Sequence, residues 1–214
     1  MTGRTLVLLR HGRTAWNDSG QAQGHADVEL DEVGHAQAAD AAPYVAAFEP
    51  VALWTSDLAR AAQTATYVER ATGLVATHDP RLREVDVGSR QGLTLAEFAA
   101  TYPEEHAAWL CGDDSRPVPG AETAADLLAR TLPALREYLG QLPPGGTGLV
   151  VGHGAALMAG LLGMVGWPQD LAGGLRYLSN CGWAVLGENE VDGPVRLMAY
   201  NQRATAGAPG LLTP

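Results

Sequence analysis

The chain has 214 residues, two cysteines and a formal net charge of -10 at pH 7. A chain of this length buries a core without disulfides or metals, so we expect one domain over residues 1–204 and a flexible tail over residues 205–214. The acidic balance argues against nucleic acid as a partner, because nucleic-acid binding rests on a basic surface. All fourteen basic residues are arginines, which excludes a P-loop lysine and a lysine Schiff base.

The first residues and the cysteines bear on location. The apolar run between Arg4 and Arg10 is too short for a signal peptide or a membrane span. Cys111 and Cys181 are far apart and outside any metal-ligand spacing, which favours two reduced thiols in a cytoplasmic protein without a membrane partner. No spacing of histidines and acids resembles a metal site, so we expect neither a metal nor another cofactor.

The first predicted element is a strand over residues 5–9, which leads directly into Arg10, His11 and Gly12. An unbroken apolar run is typical of a strand covered on both faces, and ligands of α/β folds gather beyond the carboxyl ends of such strands. Neighbouring strand residues point to opposite faces, so Arg10 and His11 can reach one ligand only where the chain turns at Gly12. The order predicts a fixed cation and an imidazole at one edge of the sheet.

The middle of the chain alternates predicted helices and strands. In order these are a helix over residues 31–48, a strand over 51–54, and helices over 57–69, 94–109 and 124–138. Asp57 is expected to cap the helix that contains Arg60, so Arg60 lies in a first turn whose amides and dipole favour an anion. Pro43, Pro103 and Pro133 fall inside these helices and are expected to kink or interrupt them. The loop over residues 111–123 is long enough to form a lid or rim over a site.

The last predicted elements repeat the pattern of the first. An apolar run over residues 148–151 ends at His153 and Gly154, as the first run ends at His11 and Gly12. Strands over residues 183–186 and 195–199 follow. This alternation of strands and helices predicts a layered α/β domain.

Several short motifs follow one another along the chain. They are Arg10-His11-Gly12 with Thr14 and Asn17, Gln23-Gly24, Ser56-Asp57-Leu58-x-Arg60-Ala61 with Gln63-Thr64-Ala65, Leu82-x-Glu84 before Gly88 and Gly92, and Val151-Gly152-His153-Gly154. Together they resemble the histidine phosphatase superfamily, also called the phosphoglycerate mutase-like family, over residues 6–200. The resemblance implies a single three-layer α/β/α sandwich domain with a mostly parallel central sheet and the site at the carboxyl ends of its strands.

The resemblance also implies a role for each matching residue. His11 resembles the nucleophile that becomes phosphohistidine, and Glu84 resembles the general acid that protonates the leaving oxygen and later activates water. The partners that hold the transferred group are implied to be Arg10, Arg60 and His153. Substrate contacts are assigned to Asn17, Arg13, Gln23, Gly24 and Gly154.

Independent chemistry agrees with these roles. A neutral imidazole attacks phosphorus, and its phosphoramidate is hydrolysed in a second, easier step. Arginine pairs bidentately with phosphate oxygens, and an alkoxide leaving group needs a proton from an acid such as Glu84. We therefore interpret the chain as a phosphatase of a small phosphorylated metabolite, a sugar phosphate or a phosphoglycerate derivative, that acts through a phosphohistidine intermediate.

Two alternatives stay open. One is a phosphoglycerate mutase with the same intermediate, although the residues after Glu84 lack the tyrosine of the mutase pattern. The other is a non-catalytic module that binds phosphorylated ligands, which would need neither a nucleophile nor an acid. The triplet before Glu84, Arg81-Leu82-Arg83, and Asn180-x-x-Trp183 bring the chain closer to bacterial phosphatases of sugar phosphates, glucosyl-3-phosphoglycerate phosphatases among them. A homodimer is left open as well.

Some residues near the expected site carry no clear assignment. Arg13 stands where the family has glutamate or glutamine, and Arg90-Gln91 stand where it has an aromatic-acidic pair. These guanidiniums would favour a substrate with a second anionic group or would lie in solvent. Glu122 resembles a position at the rim of the site, but a glutamate at a helix entry would look identical, and Trp109 either lines a pocket or packs against a helix.

Overall fold

The computed structural model describes residues 2–113 and 115–204, so the tail expected over residues 205–214 lies outside the described residues. The described chain is built on one six-stranded sheet with the order β3-β2-β4-β1-β5-β6. The strands are β1 (Thr5–Arg10), β2 (Ala52–Thr55), β3 (Thr77–His78), β4 (Thr147–Gly152), β5 (Trp183–Gly187) and β6 (Arg196–Gln202).

The sheet is parallel from β3 to β1 and antiparallel at its other edge. β1 lies beside β4 in parallel, with Arg10 opposite Gly152, and β2 pairs in parallel with both β4 and β3. β5 runs antiparallel to β1, and β6 runs antiparallel to β5. The mostly parallel sheet predicted from the motifs is confirmed. Because β1 and β4 are adjacent and parallel, His11 and His153 follow the carboxyl ends of neighbouring strands and lie at the same end of the sheet.

Helices cover both faces of the sheet and complete three layers. They are α1 (Ala15–Ser19), α2 (Glu32–Ala46), α3 (Ala59–Thr72), α4 (Leu95–Thr101), α5 (Pro103–Leu110), α6 (Ala124–Gln141) and α7 (Gly154–Val165), with short 3-10 turns at Pro80–Leu82, Gly88–Arg90 and Gln169–Gly174. Alternate residues of β1 serve the two layers: Val7 and Leu9 pack with α2 and α3, and Leu6 and Leu8 with α6 and α7. None of the described helices is long and apolar enough to cross a membrane.

The structure corrects several details of the predicted helices. The helix expected from residue 94 to residue 109 is two helices that meet at Tyr102, because the residue before a proline disfavours the helical conformation. Pro133 does not interrupt α6, and α2 likewise runs through Pro43. The short strand β3 had no recognisable signal in the sequence.

Asp57 does not cap α3. The N-cap of α3 is Leu58, which makes no side-chain cap, and the backbone N–H of Ala59 instead donates to Oδ1 of Asp27 at 2.6 Å. The carboxylate of Asp57 accepts hydrogen bonds from Arg83, with Nε to Oδ1 at 2.8 Å. The cap therefore comes from a distant loop, which this bond fastens to the start of α3.

Candidate active site

His11 follows β1 directly and is buried, with 2% of its surface exposed. Its backbone N–H donates to the carbonyl of Gly152, and its Nδ1 lies 2.7 Å from the carbonyl oxygen of Gly12. A carbonyl only accepts, so Nδ1 carries the proton and Nε2 keeps its lone pair. Gly12 is required at the turn, because a Cβ there would lie 2.5 Å from the carbonyl oxygen of Gly34.

His153 follows β4 and occupies the N-cap position of α7. Its ring centre is 5.1 Å from the ring centre of His11, with the two planes tilted by 57°. Nδ1 of His153 accepts a hydrogen bond from Nε of Arg60 at 3.2 Å, which leaves the proton on Nε2. That Nε2 is buried and has no partner in the described structure.

Arg60 is fully buried in the first turns of α3. Two of its nitrogens donate to backbone carbonyls, NH1 to Ala26 at 2.8 Å and NH2 to Gly24 at 2.9 Å. Gly24 thus holds Arg60 through its carbonyl, and the direct substrate contact assigned to Gly24 stays a prediction. The guanidinium keeps its charge while carbonyls fix its orientation.

Arg10 is the last residue of β1 and lies at the same end of the sheet as His11 and His153. Its NH1 donates to the carbonyl of Leu178 at 2.6 Å, and its Nε is buried without a partner. Arg10 and Glu84 both lie close to Gly154, because a Cβ built on Gly154 would stand 3.6 Å from Cζ of Arg10 and from Oε2 of Glu84, an ordinary van der Waals distance. The cation and the carboxylate therefore border the same small region at the start of α7.

Glu84 binds the amino-terminal end of α7. Its Oε1 accepts from the backbone N–H groups of Ala155 at 3.1 Å and Ala156 at 3.0 Å, and Oε2 accepts from Ala155 at 3.2 Å. Free N–H groups at a helix start attract a carboxylate. The acid expected from the motif therefore lies at the start of α7, directly after His153, and close to Arg10.

The buried charges keep both imidazoles neutral. Burial, reinforced by Arg10 and Arg60, lowers the pKa of His11 well below 6.5, and burial with the Arg60 charge does the same for His153. Burial also lowers the pKa of Arg60 to about 10. Within residues 2–113 and 115–204, neither Arg10 nor Arg60 has a carboxylate oxygen within 4.0 Å of its nitrogens.

Three unpartnered polar atoms of the described chain belong to residues assigned to the site. They are Nε of Arg10, Nε2 of His153 and Oε1 of Gln23. A buried polar group without a partner is unfavourable, and such groups in a native fold indicate a ligand or a water. Two cations that no carboxylate pairs within 4.0 Å in the described structure favour a compact anion with several acceptor oxygens, as in a phosphoryl group.

Comparison with known proteins agrees with this geometry. The family model described as histidine phosphatase superfamily (branch 1) matches residues 6–201. The chain belongs to the histidine phosphatase superfamily. It is 37% identical over 199 residues to a glucosyl-3-phosphoglycerate phosphatase of Mycobacterium tuberculosis, covering 87% of this chain and 86% of the relative.

Two further comparisons concern the reaction that the relatives catalyse. A probable phosphoglycerate mutase of Yersinia enterocolitica is 36% identical over 176 residues, covering 82% of this chain and 81% of the relative. The solved structure of a mycobacterial glucosyl-3-phosphoglycerate phosphatase in complex with VO3 superposes with a TM-score of 0.84 at 34% identity, covering 92% of this chain and 98% of that chain. The phosphatase reading of the motifs is confirmed: this histidine phosphatase is a phosphoric monoester hydrolase for a small phosphorylated metabolite.

Asn17 and Arg13, the remaining residues assigned to this histidine phosphatase's substrate, have different surroundings. Oδ1 of Asn17 accepts from Nδ2 of Asn180, which also donates to the carbonyl of His11, so Asn17 is linked to the nucleophile. The guanidinium of Arg13 is held away by two acids, Asp31 at 2.8 Å and Asp18 at 2.7 Å. The substrate contact assigned to Arg13 stays a prediction, and in the described structure its charge is already paired.

Sequence reasoning missed residues that support the site from outside. Arg130 of α6 donates to the carbonyls of Arg83 and Glu84 at 2.7 Å each, and its Nε contacts Glu122 at 2.8 Å. Glu122 also accepts from the backbone of Asp86, so it braces the segment after the acid. No local pattern marks Arg130, since its partners are backbone carbonyls distant in the sequence.

No cluster of histidine, cysteine and acidic residues suited to a metal ion is found among the residues that the structure describes. The positive charge near His11 comes from the two guanidiniums described above.

Proposed function

We propose that this phosphatase transfers the phosphoryl group of its substrate to Nε2 of His11 and then to water. The observation that carries the proposal is the set of unpartnered buried donors of Arg10 and His153 around a neutral imidazole. An imidazole held neutral by its surroundings needs no prior loss of a proton to attack phosphorus. The donors supply contacts that a phosphoryl group completes.

Two steps account for the reaction. In the first, Nε2 of His11 forms a bond to phosphorus, the ester P–O bond breaks, and the leaving oxygen takes a proton from the carboxyl of Glu84. In the second, the Glu84 carboxylate takes a proton from water, the water oxygen bonds to phosphorus, and the N–P bond breaks. The place of Glu84 beside Arg10 supports both proton transfers.

Fixed donors lower the barrier of both steps. Charge develops on the equatorial oxygens of the transferred group, and we propose that Arg10, Arg60 and the Nε2 proton of His153 contact those oxygens. Carbonyl contacts and burial hold Arg60 in place before the substrate arrives. Little reorganisation is then needed in the transition state.

For the substrate we propose a phosphoglycerate derivative or a sugar phosphate. The name of the mycobacterial relative supports this class, because glucosyl-3-phosphoglycerate contains both parts. We further propose a cytoplasmic protein that binds small molecules and no nucleic acid. The net charge of -10 and the free thiols of Cys111 and Cys181 support it. Light scattering coupled to size exclusion distinguishes a monomer from the homodimer left open by the sequence.

A mutase is the second candidate, because the Yersinia relative carries that name. A mutase returns the phosphoryl group of His11 to an isomeric hydroxyl, whereas a phosphatase passes it to water. We predict net release of phosphate, with slow interchange of 2- and 3-phosphoglycerate even when a bisphosphoglycerate primer is supplied. The measurement follows phosphate release and isomer ratio in the same reaction, with His11→Ala as the inactive control. Primer-dependent interchange that exceeds phosphate release would establish the mutase instead.

A further inference from the structure

The guanidinium of Arg90 packs against two aromatic rings. Its Cζ is 4.5 Å from the ring centre of Phe98 on α4 and 4.4 Å from the ring centre of Trp109 on α5. Nε of Arg90 is buried and has no hydrogen-bond partner. No carboxylate oxygen in residues 2–113 and 115–204 comes within 4.0 Å of the nitrogens of Arg90. The charge is therefore stacked but not paired in the described structure.

Arg90 shares a lowered pKa with the two arginines assigned to the phosphoryl group. In the described chain, burial lowers the pKa of three arginines, namely Arg10, Arg60 and Arg90. By contrast, Arg116 lines the same cleft as Arg90 but is exposed, and its NH2 lies 2.9 Å from Oε2 of Glu104. A partly buried cation without an acid is unfavourable unless a ligand supplies the anion.

The cleft next to Arg90 reaches the residues that hold the Glu84 carboxylate. Its volume is about 720 Å³, and its lining includes Val85 and Ala155, the neighbours of the Glu84 carboxylate, together with Tyr177 and Trp109. Burial raises the pKa of Tyr177, and the charges of Glu84, Arg10 and Arg90 also shift it, so the Tyr177 hydroxyl lies near all three groups. A substrate whose phosphoryl group lies at His11 thus has room to extend its alcohol part towards Arg90.

The two rings leave the hydrogen-bonding capacity of Arg90 unused. Phe98 and Trp109, whose ring centres are 6.2 Å apart and whose planes are tilted by 71°, pack against the guanidinium but accept no hydrogen bond in the plane of its N–H donors. Donors in one plane match the two oxygens of a carboxylate. We propose that Arg90 binds a carboxylate on the alcohol part of the substrate, so that the enzyme selects phosphate esters of hydroxy acids. This inference rests on the proposed function, because it names the esters hydrolysed at that site.

Two matched substrate pairs test the proposal. 3-Phosphoglycerate differs from glycerol 3-phosphate, and O-phosphoserine from phosphoethanolamine, by the carboxylate. We expect the wild type to prefer the acid of each pair in kcat/KM, and Arg90→Gln to reduce that preference about 10- to 100-fold, the range of a charged hydrogen bond. The larger part of the change falls on KM. Arg116→Gln is the control, because it removes a paired, exposed arginine from the same cleft.

Each outcome has a separate meaning. A preference that Arg90→Gln removes and Arg116→Gln retains supports the carboxylate subsite, and partial rescue by Arg90→Lys strengthens it. A wild type without preference for either acid, or an equal preference in wild type and Arg90→Gln, overturns the subsite. If the wild type shows no phosphate release that depends on His11 with p-nitrophenyl phosphate, the proposed function itself fails. A near-ultraviolet circular dichroism spectrum of each variant separates loss of binding from loss of folding.

Discussion

His11 and His153 are ionisable groups that the fold keeps uncharged. Both side chains are buried next to the Arg60 guanidinium, and each has a pKa well below 6.5 for that reason. In the unfolded chain a histidine takes up a proton near pH 6.5, whereas in the folded protein these two resist it. Protons therefore bind preferentially to the unfolded state once the pH falls below that value.

This difference predicts a stability that falls with pH. From pH 6.5 downwards, each of the two histidines reduces the free energy of unfolding by up to about 1.4 kcal/mol per pH unit, until its folded pKa is reached. At higher pH they have no such effect. Urea unfolding at pH 7.5, 6.5 and 5.5 measures the slope, and His153→Gln should make it shallower. His78→Gln, at an exposed position, is the control; equal slopes in wild type and His153→Gln would contradict the account.

At the scale of elements, α6 positions the acid although it contributes no reacting group. Arg130 of α6 donates to the backbone carbonyls of Arg83 and Glu84, which flank the Cα of Glu84, and Glu122 fixes the same guanidinium. The segment that carries Glu84 has no regular secondary structure between the turns at Pro80–Leu82 and Gly88–Arg90. Its geometry therefore depends on contacts from the helix.

We predict that Arg130→Met lowers kcat through Glu84. An alkyl phosphate needs a proton on its leaving oxygen, whereas nitrophenolate leaves with little help, so the loss should be roughly tenfold for glycerol 3-phosphate and smaller for p-nitrophenyl phosphate. Glu84→Gln should show the same order with a larger difference. Arg136→Met removes an exposed arginine from the same helix and serves as the control. An equal loss on both substrates would show that Arg130 acts on the fold in general and not through the acid.

At the scale of the whole molecule, the sequence predicted the central strands and the ends at which they deliver histidines. Unbroken apolar runs are strong local signals, and the rule that ligands gather at strand ends then places His11 and His153 together. The family motifs added Arg60 and Glu84. Burial of Arg60 is what the local sequence concealed, since a helix start alone resembles a solvated position.

The remaining features depend on contacts between distant parts of the chain. Asp27 rather than Asp57 satisfies the first amide of α3, and Arg130 pairs with carbonyls, so neither has a spacing that a sequence reveals. The contacts of Arg90 with both aromatic rings require α4 and α5 to fold back over the Gly88–Arg90 turn. The break at Tyr102 that allows this agrees with the interruption expected at Pro103, although the sequence predicted one helix over residues 94–109 and not two.

The central claim is a covalent intermediate on His11, and trapping it is the most direct measurement. Enzyme mixed with substrate and quenched in alkaline denaturant should carry one phosphate on the peptide that contains His11, stable to base and released by brief acid treatment. With p-nitrophenyl phosphate, whose leaving group needs little help from an acid, Glu84→Gln should accumulate more of this species because water activation is slowed, and His11→Ala should carry none. Phosphate on a different residue, or full turnover by His11→Ala, would contradict the account.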